Sequence, residues 1–271
     1  MNHILITKEN YNDFKDLLPS NLSGGDRITI GAYDDEGFVC GTVSVVRVDD
    51  AYELDWIYVA EARRRQGVGN GLISELVKMT NSIDGLPLRA DFEAGDDDGL
   101  YMFFRAFDRD GLEFDMSYLY DRYYIKPEEM DEVIKTQFSK GEPEGAEEFF
   151  RRPVRDQRAL LEQFEELFSV DNLEIWRSTC VPELCRVAFM DEKLAALILV
   201  SKRTDGNLEL SFLYGANHQM LFMLLKYCIT EARKLSPDAG LVFDTVSEES
   251  EKMAKKLFPK AEPIQIFEAE M

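Results

Sequence analysis

The sequence predicts an α+β protein made of two similar domains in tandem, each a mainly antiparallel, mixed sheet flanked by helices. Three observations lead to this prediction. The chain has 271 residues, more than the usual single-domain size of about 100 to 150 residues. Runs with strand periodicity, separated by short turns, alternate with runs of helical periodicity. The same order of elements also occurs twice along the chain.

The first half begins with a predicted helix, Asn10 to Leu18, followed by the strand-like runs RITIGAYD, FVCGTVSVVRV and YELDWIYV. Acidic turn residues separate these runs, at Asp34 to Gly37 and at Asp49 and Asp50, which predicts an antiparallel meander. The later elements are a helix over Asn70 to Ser82 with Leu72, Ile73, Leu76, Val77 and Thr80 on one face, a strand over Pro87 to Ala94, a helix that ends at Gly111, and one or two strands over Leu112 to Ile125.

The segment Lys126 to Glu148 is acidic, contains two prolines and two glycines, and has little sustained periodicity. We therefore place the domain boundary there. The prediction is an N-terminal domain over 1–135, a linker over 136–150 and a C-terminal domain over 151–271.

The second half repeats the order of the first, beginning with a predicted helix over Asp156 to Phe168. Phe38 to Val59 overlays Leu194 to Gly215 without a gap, and the identities include the pairs Glu53 and Glu209, Leu54 and Leu210, and Tyr58 and Tyr214. The matches are few and mostly apolar, so chance similarity of strand patterns is the alternative. We interpret the repeat as a degenerate duplication.

The composition restricts the partners. There are 31 basic and 52 acidic side chains, a net charge of −21, so we expect neither nucleic acid nor an anionic membrane surface as a partner. A cationic small molecule or basic peptide is favoured as a partner. The alternative is that the excess of acidic side chains only keeps the protein soluble. The sequence has no apolar run near the ~18 to 20 residues of a membrane span. The N-terminus lacks the pattern of a signal peptide, so we expect a cytoplasmic protein.

Four cysteines, Cys40, Cys180, Cys185 and Cys228, lie in or beside apolar stretches and include no CxxC pair. We expect buried, reduced thiols and no metal site.

A basic, glycine-bearing segment, AEARRRQGVGNGL, connects the strand that ends at Val59 to the next predicted helix. Such a turn places backbone amides at the positive end of the helix dipole, where polyphosphate can bind. Gly67 and Gly69 leave room for close approach, and Arg64 or Arg65 can add positive charge. The alternative is an ordinary basic helix start, but cations oppose the dipole there unless an anion lies between them. Neither the Rossmann fingerprint nor the P-loop sequence is present.

The spacing Arg64-x-x-Gly67-x-Gly69 resembles the signature of the GNAT superfamily of acetyl-CoA-dependent N-acyltransferases. In that family, a loop of the form Arg/Gln-x-x-Gly-x-Gly/Ala binds the pyrophosphate of coenzyme A. The neighbouring elements follow the family's order, over about Asn2 to Tyr124 and more faintly over Asp156 to Phe267. The resemblance implies tandem GNAT-like domains, acetyl-CoA as co-substrate and no metal. Only the first copy has the loop, because ANHQMLFML follows Gly215.

The resemblance also implies roles for residues around the loop. The backbone of the preceding strand would bind the pantetheine arm, and the amide of Val59 would stabilise the oxyanion of the tetrahedral intermediate. Arg65 would assist, and one of the three arginines would be only a surface charge. The residues implied for the cofactor are Ile57, Tyr58 and Val59 for pantetheine, and Arg64 with the amides of Gln66, Gly67, Val68, Gly69 and Asn70 for pyrophosphate.

Acetyl transfer to an amine requires a base, because a protonated nitrogen has no lone pair. Glu53, at about the position of a general-base glutamate in some members, is the first candidate, and Asp55, two residues along the same strand, is the reserve. A solvated or ion-paired carboxylate is the alternative for Glu53. Its counterpart Glu209 lies in the half without the loop and is expected to be structural.

One feature departs from the family pattern. Many members carry a tyrosine four residues before a Gly-Phe pair, and this tyrosine protonates the leaving thiolate. Here Gly111 and Leu112 occupy the pair, and the residue four earlier is Phe107. Water could supply the proton, Tyr101 could serve unless it only packs, or this copy could be catalytically weakened.

The leading hypothesis is an N-acetyltransferase acting on a primary amine by direct attack with general-base assistance, on a cationic small molecule or a peptide. The second is a non-enzymatic coenzyme A-binding sensor or scaffold, and the third is an acidic interaction protein without a ligand. Both a monomer and a homodimer are compatible with the sequence.

Overall fold

The chain divides into two compact units. The first contains Met1–Leu119 and Gln265–Met271, and the second contains Tyr120–Ile264. The structure is a computed structural model that describes residues 1–19, 26–94, 99–109, 111–135, 142–164 and 173–271.

The elements are as follows in chain order. Those of the first half are β1 (Asn2–Leu5), α1 (Tyr11–Phe14), β2 (Arg27–Tyr33), β3 (Val39–Val48), β4 (Ala51–Val59), α2 (Val68–Ile83), β5 (Leu88–Ala94), α3 (Gly99–Arg105), β6 (Asp108–Arg109), β7 (Leu112–Glu113), β8 (Asp115–Ile125) and α4 (Pro127–Lys135). Those of the second half are β9 (Ala146–Glu148), α5 (Val154–Leu161), α6 (Leu173–Thr179), β10 (Arg186–Met190), β11 (Lys193–Lys202), β12 (Leu208–Gly215), α7 (His218–Leu235), β13 (Leu241–Thr245), α8 (Glu248–Leu257) and β14 (Pro263–Glu270).

The first unit contains a sheet with the strand order β1-β2-β3-β4-β5-β14. Its neighbours are antiparallel, except that β4 and β5 are parallel. The predicted α+β class with a mainly antiparallel, mixed sheet is therefore confirmed. The last strand comes from the C-terminal end of the chain, and Asp91 on β5 is the register partner of Glu268 on β14.

Helix α2 covers one face of this sheet. The five residues predicted to share a face, Leu72, Ile73, Leu76, Val77 and Thr80, are all buried. They recur at helical spacing, so a single stripe of the helix can enter the core. The core of the first unit also contains strand residues such as Val43, Val45 and Leu88.

One predicted helix end was wrong. Helix α3 ends at Arg105 rather than at Gly111, and β6 and β7 pair in a short antiparallel hairpin. Gly111 has a φ of +78°, in the left-handed region. Its conformational freedom serves the turn of this hairpin and does not terminate a helix. The strands predicted between Leu112 and Ile125 are present as β7 and β8.

The second unit contains a sheet with the order β8-β13-β12-β11-β10-β9, in which only β12 and β13 are parallel. Its internal geometry repeats that of the first. In the first unit, β4 bulges at Asp55, because Leu54 and Trp56 pair with successive residues of β3. In the second, β12 bulges at Ser211, because Leu210 and Phe212 pair with successive residues of β11. The overlay in the sequence therefore joins structurally equivalent strands.

The compact units differ from the predicted boundaries at 135 and 151. The predicted boundary segment contains helix α4 and strand β9, while residues 136–141 lie outside the described residues. Met130 and Val133 of α4 are buried in the core of the second unit, which also includes Leu225 of α7. Residues 127–135, predicted to end the N-terminal domain, thus form a helix that packs in the second unit. The predicted helix over Asp156 to Phe168 is represented by α5 and a 3₁₀ turn to Phe164, and 165–168 lie outside the described residues.

The four cysteines are free and buried, as predicted. Burial raises the pKa of the Cys228 thiol to about 12, so this thiol is a poor nucleophile at neutral pH. Within the described ranges, none of the helices combines the length and apolar character that a bilayer span requires.

Candidate active site

The parallel strands β4 and β5 separate soon after they meet. Their register pairs are Tyr52 with Leu88 and Glu53 with Arg89, whereas β4 continues to Val59 and β5 to Ala94. The bulge at Asp55 lies just beyond the last pair. β-bulges bend the strand that carries them, and no further register pair joins β4 to β5 beyond this point. The edge of β4 that faces β5 is therefore available to a ligand beyond Glu53.

A cavity of about 600 Å³ lies at the end of β4. It brings together eight of the ten residues predicted to bind the cofactor, namely Ile57, Tyr58, Val59, Arg64, Arg65, Gly67, Val68 and Asn70. Arg63 also lines it, as do five residues of α3 and its end that the sequence analysis missed: Gly99, Leu100, Met102, Phe103 and Ala106. The run GLYMFFRAF signals an apolar helix, but it does not indicate which side chains reach a cavity.

The start of helix α2 offers hydrogen-bond donors to this cavity. Gly67 is the N-cap residue with a φ of +79°, and no side chain caps the helix. The amides of Val68, Gly69 and Asn70, in the first turn, have no acceptor within the helix. A Cβ at Gly67 would have no atom within 4 Å, so the space beside Gly67 is open. The helix dipole favours an anion there.

The loop before α2 holds two residues in the left-handed region. Arg65 has a φ of +62° and Gly67 one of +79°. A non-glycine residue in this region costs on the order of 1 kcal/mol. Alternation of left-handed with other residues turns successive amides toward one point, the geometry of an anion-binding nest.

The other two predicted loop residues, Gln66 and Gly69, do not line the cavity. Gln66 donates from Nε2 to the carbonyl oxygen of Ala62 at 2.9 Å. A Cβ at Gly69 would lie 3.0 Å from Cε2 of Phe103. Gly69 therefore permits close packing of α2 against α3, and this packing places Phe103 in the cavity wall.

The three arginines have different environments. Arg63 forms an ion pair with Asp34, so its charge is already compensated. Arg64 donates from Nε to the carbonyl oxygen of Val59 at 3.2 Å, and Arg65 is exposed. Arg64 and Arg65 are thus the arginines best placed to meet an anion.

The second unit repeats the strand separation without the loop. Strands β12 and β13 pair only at Leu208 with Leu241 and at Glu209 with Val242. The side chain of Asn217 caps helix α7 by accepting from the amide of Met220 at 2.9 Å. An N-cap hydrogen bond of this kind contributes about 0.5–2 kcal/mol. The equivalent amide of α2 has no such side-chain cap.

The two candidate bases lie on β4 in different environments. Glu53 is half-buried, and among the described residues none forms an ion pair or hydrogen bond with its carboxylate. Asp55 forms an ion pair with Arg27, which also donates to Ser44 at 3.0 Å. Glu209, the counterpart of Glu53, forms an ion pair with Arg203 at 3.1 Å.

The surroundings of Glu53 raise the pKa of its carboxyl group above the usual 4.5. Burial is the main cause, followed by the negative charge of Asp91, while Arg89 acts in the opposite direction and Glu268 and Asp50 add to the rise. Arg89 also forms ion pairs with Glu270 and, at 3.1 Å, with Asp50. The contribution of Glu268 was missed in the sequence because pairing of β14 with β5 joins distant parts of the chain.

Tyr101 and Phe107 lie in aromatic clusters. Tyr101 is not among the cavity-lining residues, and its ring packs edge-on against Phe267 with a centroid distance of 5.2 Å. Phe107 is buried against Phe103 and Phe114. The position that holds a tyrosine in many GNAT members is therefore part of the apolar core.

Comparisons with known proteins agree with this geometry. Residues 6–89 match the model of the acetyltransferase (GNAT) family. No curated protein matches the sequence significantly.

Similar solved structures include a tandem GNAT protein from the clavulanic acid biosynthesis pathway, with a TM-score of 0.64 and 15% identity over 99% of this chain and 98% of that chain. A GCN5-related N-acetyltransferase from Sphaerobacter thermophilus has a TM-score of 0.61 and 14% identity over 97% of this chain and 84% of its own. A GCN5-related glucosamine N-acetyltransferase region of a fungal multi-domain GH3 β-N-acetylglucosaminidase has a TM-score of 0.64 and 11% identity, over 100% of this chain and 38% of that one. At such identities the structural likeness shows the fold.

The family match spans β4, the glycine loop and α2, which together form most of the cavity wall. The fold of the tandem GNAT protein extends over nearly the whole chain. Residues 6–89 are therefore similar in sequence to the GNAT family of acetyltransferases, and the chain as a whole has the fold of a tandem GNAT protein.

Proposed function

We propose that the first unit binds acetyl-CoA in the cavity at the end of β4 and transfers its acetyl group to a primary amine, with Glu53 as the general base. The observation that supports this most strongly is the junction of two features in one cavity. One is the unpaired edge of β4, and the other is the uncapped start of α2. The edge of β4 can form backbone hydrogen bonds with the amides of the pantetheine arm, and the start of α2 can bind the pyrophosphate.

Each part of coenzyme A has a matching surface. The pyrophosphate binds the amides of Gln66, Gly67, Val68, Gly69 and Asn70, with charge from Arg64 and help from Arg65. The pantetheine arm lies along the backbone of Ile57, Tyr58 and Val59. The amide of Val59 donates to the thioester carbonyl and stabilises the oxyanion that forms there.

Glu53 is the better candidate base because no described residue forms an ion pair with its carboxylate, whereas Asp55 is paired with Arg27. The raised pKa of Glu53 increases its basicity, which brings it closer to the optimum for proton transfer near neutral pH. The ammonium gives one proton to Glu53, and the neutral nitrogen attacks the thioester carbonyl. Collapse of the tetrahedral intermediate breaks the C–S bond and releases the thiolate, and the nitrogen gives its second proton to solvent. Asp55 remains the reserve base.

The proton for the leaving thiolate comes from solvent in this proposal. Phe107 cannot donate one, and Tyr101 packs in an aromatic cluster outside the cavity wall. Tyr101 is therefore assigned to packing. Loss of turnover in Tyr101→Phe would instead assign it the role of the acid.

The acceptor is a cationic amine, a small molecule or a peptide. Glu53, Asp91 and Glu268 lie on adjacent strands of one sheet face, and Asp91 stands directly opposite Glu268. Like charges in directly opposed positions are destabilising. A bound ammonium would be attracted to these carboxylates, and the net charge of −21 would favour its approach from solution.

A coenzyme A-binding sensor or scaffold is the second candidate. The observation that favours it is Phe107, which leaves the protein without the family's usual acid. The two functions differ in turnover and not in cofactor binding.

Replacing Arg64 by Glu together with Gly67 by Asp should weaken coenzyme A binding roughly a hundredfold or more, because both changes place negative charge against the pyrophosphate. Isothermal titration measures the dissociation constant, and thermal melting verifies folding. Lys78→Glu, on the same helix but exposed and outside the cavity wall, is the matched charge control and should bind normally. Unchanged affinity in the double variant would contradict the proposed site.

Incubation with acetyl-CoA and a panel of polyamines, aminoglycosides, amino acids and basic peptides should release free thiol with at least one cationic acceptor. Glu53→Gln should lower kcat by about 10²- to 10⁴-fold without changing coenzyme A affinity. The wild-type rate should rise with pH through the raised pKa of Glu53, since only the carboxylate accepts a proton. Background rates with every acceptor would favour the sensor.

Glu53→Gln should also make the protein more stable at neutral pH. A carboxyl group whose pKa is raised by folding destabilises the folded chain when ionised, so the gain should shrink as the pH falls toward 4.5. Urea denaturation at neutral and acidic pH measures this difference. Glu209→Gln is the matched control and should lose up to about 1 kcal/mol, because it removes an ion pair. A neutral-pH loss for Glu53→Gln as large as that of the control would refute the assigned environment.

A further inference from the structure

We propose that the side chain of Tyr58 is a positioning residue that holds the guanidinium of Arg64 at the cavity wall, in the place where the pyrophosphate is expected. This inference rests on the proposed function, because it assigns Arg64 to the cofactor. It adds a role for the aromatic ring of Tyr58 to the role of its backbone.

Two contacts fix the direction of Arg64. Its Cζ lies 5.8 Å from the centre of the Tyr58 ring, a cation–π distance, and its Nε donates to the carbonyl oxygen of Val59 at 3.2 Å. The bond through Nε leaves the two terminal nitrogens for an anion. Both Arg64 and Tyr58 line the cavity.

The ring of Tyr58 is itself supported. Trp56 and Tyr58 point to the same side of β4, and their rings are stacked with a centroid distance of 6.1 Å and an interplanar angle of 15°. Trp56 is anchored by its Nε1, which donates to the carbonyl oxygen of Leu17 at 2.9 Å and to Oγ1 of Thr42 at 3.2 Å. A series of contacts therefore leads from the interior of the unit to the guanidinium.

The physical benefit is preorganisation. A free arginine side chain loses rotamer freedom when it is immobilised, and this loss of entropy weakens binding. The ring of Tyr58 and the carbonyl oxygen of Val59 already restrict Arg64 in the unliganded protein. Less entropy is therefore lost when the pyrophosphate binds, and binding is tighter.

The second unit provides an internal comparison. Tyr214 is the counterpart of Tyr58, and Phe212 is that of Trp56. The ring of Tyr214 packs against Phe164 at 4.7 Å, and no cation–π contact found among the described residues involves it. The aromatic pair occurs in both units, whereas the arginine over it is found where the glycine loop is present.

The test is a double-mutant cycle on coenzyme A binding in the full chain, followed by isothermal titration. Tyr58→Leu should weaken binding about two- to fivefold, the range of an exposed cation–π contact, whereas Tyr58→Phe keeps the ring face and should bind like the wild type. In an Arg64→Met background, Tyr58→Leu should cause no further loss, because its effect passes through Arg64.

Three results would overturn the inference. One is an equal loss for Tyr58→Leu in both backgrounds, which a direct ligand contact or a structural role would produce. Another is normal binding by Tyr58→Leu, and the third is a loss of the same size for Tyr58→Phe. Failure of the proposed function is a separate outcome, since the wild-type protein would then not bind coenzyme A at all. Thermal melts of all variants exclude unfolding as the cause.

Discussion

The early end of pairing between two parallel strands is the constraint on which the site depends. Strands β4 and β5 share the register pairs at Tyr52 and Glu53 and then separate. The bulge at Asp55 lies just beyond the last of these pairs, and its extra residue interrupts the alternation of β4. The consequence is that Glu53 lies where the strands part and Ile57 to Val59 lie along an open edge. The proposed acid–base chemistry and cofactor binding follow from one local irregularity.

The second unit has the same scaffold, in which the strands also separate, but a different helix start. Its bulge and register pairs are equivalent, yet the start of α7 is capped by its own Asn217. An anion would compete there with a hydrogen bond that already satisfies the amide of Met220. Glu209 is likewise engaged by Arg203. In the first unit the first-turn amides of α2 remain available, because Gly67 provides the turn and has no side chain that could cap the helix.

The sequence was sufficient to predict local features. Leu72, Ile73 and Leu76 recur at helical spacing, so the buried face of α2 followed from periodicity alone. The arginine and glycine spacing likewise located the loop that lines the cavity.

The features that sequence reasoning missed depend on contacts between distant residues. The pairing of β14 with β5 has no signal in either segment alone, although it places Glu268 opposite Asp91. The hairpin turn at Gly111 was mistaken for a helix end, because glycine in the left-handed region suits both structures. Ion pairing of Arg63 and Asp55 also became visible only in three dimensions.

The central claim is that only one of the two units has a site for coenzyme A. Isothermal titration of the intact protein with coenzyme A tests it directly, because the stoichiometry counts the sites. One molecule bound per chain is expected. Two molecules per chain, or no detectable binding, would contradict it.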